Sequence, residues 1–141
     1  MKLGFRAIII AVIGIGLVSV ITVRGCRTPK DKGKILYELH CQTCHGEKGE
    51  GFYSYPPIAG VDYVEDHKDE IACIIYYGME GPIEVDGVEY DGRMLGNPQL
   101  TETQIANLAN YIYGLPGNSG ASFNKTDIQN QLENCNYKPI K

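Results

Sequence analysis

The sequence predicts a small, mainly helical domain that carries one two-stranded β-hairpin and stands behind a hydrophobic N-terminal segment. Three observations carry this expectation. Ile35, Leu36 and Leu39 recur at helical spacing, and so do Ile105, Leu108, Ala109 and Ile112. Strand alternation is confined to Ile83-Glu84-Val85 and Val88-Glu89-Tyr90, which flank Asp86-Gly87. A chain of 141 residues has room for a single domain of ordinary size.

The elements follow in chain order. Residues 7–23, AIIIAVIGIGLVSVITV, hold no charge and lie between Lys2 and Arg6 on one side and Arg24 and Arg27 on the other. As a helix such a run reaches about 25 Å at ~1.5 Å per residue, slightly short of a hydrocarbon core of about 30 Å. Residues 1–26 are therefore expected to be a membrane anchor, or an export signal that is later removed. Cys26, after Gly25, adds a lipoprotein-like processing site, although Arg24 stands where that pattern wants a small or apolar residue. Packing as an ordinary core helix does not suit the run, which has no polar face.

Residues 27–33 contain the polar stretch TPKDKG and read as a linker. The globular domain is expected over 34–115, opening with a helix that runs into Cys41-Gln42-Thr43-Cys44-His45. Gly46, Gly49 and Gly51 then stop regular structure, and Pro56-Pro57 forces an extended or turned segment. A second helix is expected over 66–77, with acidic residues near its start and Gly78 after its end. Asp86-Gly87 suits the positive backbone angles of a tight hairpin. Thr101-Glu102-Thr103-Gln104 matches a capping box and opens the last helix, which Pro116 and Gly117 close. The tail, 116–141, is rich in Asn, Ser, Gln and Lys and is expected to lie over the surface or to be partly disordered.

The pentapeptide CQTCH is the chemical centre of the chain. Two thiols separated by two residues, with a histidine directly after, meet the needs of a covalently attached haem: two vinyl groups accept the sulfurs and the imidazole reaches the iron. Cys41, Cys44 and His45 would fill these roles. A zinc site would need two more ligands, and neither Cys73 nor Cys135 has a Cys or His nearby to make a second pair. A redox dithiol expects a βαβ setting, which the pattern lacks.

With these residues stand further matches: GKILYELHCQTCHGEKGEG, YPPIAG, GPIEVDGVEYDGRM and LTETQIANLANYI. Together they make residues 33–115 resemble the small class I cytochromes c, most closely single-haem bacterial domains with an inserted hairpin. The resemblance implies an all-α fold wrapped around one haem c, attached covalently through Cys41 and Cys44, so that 34–115 is a cytochrome c domain. It implies His45 as one axial ligand of the iron and a carbonyl of the Pro56-Pro57 segment as the partner of its other ring nitrogen. His40, His67, Met79 and Met94 are candidates for the second axial position. His40 directly precedes Cys41 and is poorly placed to cross the ring, and His67 sits among charges at a solvated helix start. The family places a thioether ligand on a loop between the hairpin and the last helix, which selects Met94 and leaves Met79 to core packing. Leu95 stands where many relatives carry proline. Tyr37, Ile58, Leu100, Leu108 and Ile112 are expected to line or support the pocket, and Cys73 and Cys135 to form a disulfide in an oxidising compartment.

Charge bounds the partners. The chain carries a net charge of −4, and between Glu38 and Glu102 there are 14 acids against Lys48, Lys68 and Arg93, a net of −11. Nucleic acid is excluded by sign, and redox proteins with a basic docking patch are favoured. The expected function is electron transfer without catalysis: a membrane-anchored cytochrome with a His/Met-ligated haem, carrying single electrons in a respiratory chain and taking no small-molecule substrate. Alternatives are a fixed subunit of a larger respiratory complex, and a haem-based ligand sensor with Met94 off the iron. The basic residues after the apolar segment would by themselves put the domain in the cytoplasm. Haem attachment in the resembling bacterial family occurs outside the cytoplasmic membrane, so the periplasmic side is expected.

Overall fold

Thr28 decides where the first helix begins. Its hydroxyl accepts from the Asp31 amide at 3.3 Å, and the Asp31 carboxylate accepts from the Thr28 amide at 3.0 Å. Pro29 occupies the first helical position, where no amide is needed. The computed structural model describes residues 28–136. The apolar run at 7–23, its basic flanks, Cys26 and the last five residues lie outside the described residues.

Helix α1, Pro29–His40, thus takes in almost all of the stretch expected as a linker. The proline and glycine that suggest a linker have other uses, since Pro29 starts the helix and Gly33 packs inside the fold. Two further helices come next, α2 at Gln42–His45 and α3 at Asp62–Asp66. A 3-10 turn at Lys68–Glu70 leads into α4, Ile71–Tyr77. The single helix expected over 66–77 is therefore broken, with His67 outside helical geometry at φ −104° and ψ 23°. Its two parts face different surroundings: α3 buries only Val64, whereas α4 buries every residue from Ile71 to Ile75.

Four short strands follow: β1 Gly78–Glu80, β2 Ile83–Val85, β3 Val88–Tyr90 and β4 Arg93–Leu95. The β2–β3 pair is the expected hairpin, turned at Asp86 (φ 51°) and Gly87 (φ 77°). The β1–β4 pair is not legible in the sequence, because three-residue strands give too little alternation to detect. It pairs Gly78 with Leu95, Met79 with Met94 and Glu80 with Arg93, antiparallel. Met94 therefore lies on a strand and not on the loop expected for it.

Helix α5, Glu102–Tyr113, starts at the expected capping box and buries Ile105, Leu108, Ala109 and Ile112. It crosses α1 where Gly33 has no side chain. A methyl group there would stand 2.8 Å from Tyr111 Cβ and 3.0 Å from the Asn107 carbonyl carbon. Four residues further along α1, the Tyr37 and Tyr111 rings meet with centroids 5.1 Å apart.

The C-terminal stretch is not a loose tail over 124–133. Asn124 caps a last helix, α6, Lys125–Glu133, by accepting from the Thr126 and Asp127 amides. Ile128 and Phe123 are buried. The Asn110 side chain on α5 holds the Phe123 backbone at both ends, accepting from its amide at 2.6 Å and donating to its carbonyl at 2.9 Å. Cys73 on α4 and Cys135 form a disulfide that closes a separation of 62 residues. Gln131 reinforces it, its side chain accepting from the Ala72 amide at 2.9 Å. The polar composition that suggests disorder describes only the outer face of α6.

Two outcomes are expected. Gly33→Ala should lower stability by about 1–3 kcal/mol through overpacking against α5, although alanine is the better helix former; a denaturant midpoint at or above that of the parent chain would contradict it. Reducing the disulfide, or replacing Cys73 and Cys135 together by serine, should cost about 2–4 kcal/mol in the same titration.

Candidate functional site

The chemistry-bearing residues are gathered by one sharp change of direction. Helix α1 ends at Cys41, whose amide donates to the Tyr37 carbonyl at 2.8 Å while its φ of −122° leaves helical geometry. Helix α2 restarts at once, with the Cys44 and His45 amides both donating to the Cys41 carbonyl, at 3.1 and 2.9 Å. Cys41, Cys44 and His45 thus share a single turn. Both thiols are half-buried and unjoined. Burial, then the neighbouring Cys44, pushes the Cys41 thiol up to about 11, so at neutral pH it is protonated.

His45 is buried, and its partner arrives by a long detour. The Gly51 amide donates back to the His45 carbonyl at 2.9 Å, and Ile58 and Ala59 both donate to the Gly49 carbonyl. Gly51 has φ 75°, and a side chain there would press on the Pro57 nitrogen at 2.6 Å. The loop so folded brings the Pro56 carbonyl to 3.0 Å from His45 Nδ1. A carbonyl oxygen only accepts, so Nδ1 carries the proton and Nε2 keeps its lone pair. Burial lowers the pKa of His45, with the Pro56 bond acting weakly in the opposite direction. The imidazole is therefore held neutral. Of the two prolines expected to supply this acceptor, Pro56 does so.

Cys41, His45, Pro56 and Pro57 line an open, apolar cleft. Ile58, Leu100, Leu108 and Ile112 line it as expected. Tyr37 does not; fully buried, it supports the site from behind, its hydroxyl donating to the Gly46 carbonyl at 2.7 Å just past His45. Sequence reasoning misses the wall formed by Ile71, Ile74 and Ile75. These sit on a helix short and apolar enough to give no face preference.

All four candidates for a second axial ligand reach the cleft. His40 does so from the end of α1 and is exposed. His67 is half-buried, stacked on Tyr63 with centroids 4.0 Å apart and donating from Nδ1 to the Tyr63 carbonyl at 2.8 Å. That differs from the solvated position expected for it. Met79 and Met94 are both half-buried and paired across the β1–β4 ladder.

The donor set fits a haem joined through two thiols: a neutral imidazole with one nitrogen bare, thioethers in the same cleft, and apolar walls. It does not fit zinc, for among the described residues no group of three or more His, Cys, Asp and Glu could hold a metal ion.

Comparison with known proteins agrees with this geometry. The family model described as “Cytochrome c” matches residues 31–116. The chain is 30% identical over 101 residues to a protein named cytochrome c-552 from Thermus thermophilus, covering 68% of this chain and 68% of the relative. To a second Thermus thermophilus protein of the same name it is 34% identical over 77 residues, covering 51% of this chain and 59% of that relative.

Tyr37→Phe tests the support behind His45. Losing the bond to Gly46 should cost about 0.5–1.5 kcal/mol, read as an earlier thermal or denaturant transition with the secondary structure unchanged.

Proposed function

The chain belongs to the cytochrome c family, and from that premise we propose that it is a membrane-anchored, periplasm-facing electron carrier of a respiratory chain. Its family carries haem c bonded through cysteines, and so does this chain. When bound, the haem supplies an iron that takes up and returns one electron. Cys41 and Cys44 are the residues we assign to the thioether links, and His45 and Met94 to the two axial positions.

The observation that carries this reading is the turn that holds both thiols beside a neutral imidazole with Nδ1 on the Pro56 carbonyl. That bond fixes the orientation of the ring and leaves Nε2 as the donor to the metal. The branched aliphatic side chains of α4 exclude water and disfavour added charge in the cleft. Nothing in these roles requires a general acid or base, which suits a carrier better than an enzyme.

The electrostatic basis for docking is the ribbon. Its outer positions carry Glu80, Glu84, Asp86, Glu89 and Asp91, all but Asp86 and Asp91 within strands. Glu84 and Glu89 face one another directly across β2–β3, a like-charge pair that opposes the hairpin. A partner with a basic patch relieves this repulsion, and because β1 and β4 also line the cleft, it would dock beside the haem. The apolar run at 7–23, outside the described residues, would keep the carrier near respiratory membrane enzymes.

Intact mass of protein matured in its native host tests the reading in one measurement. We expect one haem added to the chain, and the same spectrum reports retention or removal of residues 1–26. Colourless protein with Cys41 and Cys44 both open to alkylation would overturn it. Replacing Glu84 and Glu89 by glutamine should slow electron exchange with a basic redox partner at low ionic strength, and the difference from the parent should fade as salt is raised.

A further inference from the structure

The chain holds three methionines, and Met1 lies outside the described residues. The other two face one another. Met79 on β1 and Met94 on β4 are Cα partners in a ladder of three pairs, and both line the cleft. Directly paired residues of an antiparallel ladder share one face, with Cβ atoms about 4.5–5.5 Å apart. The neighbouring Glu80, Arg93 and Leu95 are exposed, and although Leu95 also touches the cleft it faces a glycine across the ladder, so the two thioethers are the one directly paired couple of side chains that both line it. Elsewhere this wall is built from branched aliphatics such as Ile74, Ile75, Ile83 and Val85. Packing alone would be served by more of these.

The pair is also held in register. A side chain on Gly96 would stand 2.5 Å from the Gly78 nitrogen and 2.5 Å from the Tyr76 carbonyl oxygen, so the two chains touch backbone to backbone. The Asn97 amide closes the ladder onto α4 by donating to the Ile75 carbonyl at 2.9 Å. On this fixed base, each methionine has a flexible, unbranched side chain, and both side chains line the same cleft.

Resting on the reading of the site as a haem cleft, we propose that Met79 is a second thioether donor for the iron, able to take the axial position assigned to Met94 when Met94 is absent. The ladder makes the exchange local, since it asks for side-chain rotation on two strands that stay paired. The consequence is an iron that remains closed to external ligands even when one sulfur is lost, and with it a guard against conversion of an electron carrier into a ligand-binding haem protein.

The test compares Met94→Leu, Met79→Leu and the double variant as haem-loaded full-length chains, leucine being chosen because it conserves volume. Covalent haem by mass and helical content by circular dichroism confirm that each has matured. Each single variant should keep the methionine-to-ferric-iron charge-transfer band and, when reduced, bind carbon monoxide no more readily than the parent. The double variant should lose the band and bind carbon monoxide at least tenfold more tightly. Loss of the band in Met94→Leu alone would overturn the standby role of Met79 while leaving Met94 as the ligand. Loss in Met79→Leu alone would also overturn it, making Met79 the resident donor that Met94 cannot replace. Absence of haem from the parent chain is a different result, the failure of the cytochrome reading itself.

Discussion

A buried imidazole that offers one nitrogen to a metal leaves the protein to satisfy the other and thereby to orient the ring. This constraint shapes the region around His45. Leaving Nδ1 without a partner in an apolar cleft would cost about 1–3 kcal/mol, so the chain sends residues 46–56 out and back to set one carbonyl, that of Pro56, at 3.0 Å. The three positive-φ glycines between His45 and Pro56 serve that path. So does Asn118, which ties the same loop to the end of α5 by donating to the Ile58 and Ile112 carbonyls at 2.9 and 2.8 Å.

The rest of the fold braces the elements that surround this arrangement. Helices α1 and α5 cross closely enough to need Gly33, and nearer the end of α1 the Tyr37 ring packs on Tyr111. Helix α4 forms a cleft wall on one side and is braced on the other by α6, through the disulfide and Gln131. The wall that shields the cleft therefore depends on residues more than fifty positions away. Family membership and the site's geometry converge here. A small helical scaffold is used to hold one prosthetic group, and the protein's part is orientation, exclusion of water and surface charge.

Much of the site is legible in the sequence. The spacing of Cys41, Cys44 and His45 is a local pattern, complete within one turn, and the capping box at Thr101 and the Asp86-Gly87 turn are equally local. Misreadings arise where local signals have a distant purpose. Pro29 and Gly33 suggest a linker, yet one starts a helix and the other makes room for α5. The polar tail conceals α6 because its apolar contacts, Phe123 and Ile128, are few and widely spaced. His67 reads as solvated among its charged neighbours and instead stacks on Tyr63 beside the cleft.

By itself the sequence determined the chemistry: which sulfurs and which imidazole stand together, the acidic character of the surface, and the main helices that carry the site. These depend on neighbours within a few positions, where backbone geometry leaves little freedom. Tertiary structure alone decided that Pro56 and not Pro57 holds the ring, that Tyr37 stands behind the cleft, and that Met79 lies beside Met94. Each of those facts is a contact between segments whose separation along the chain encodes nothing about their distance, and only packing the whole domain brings them together.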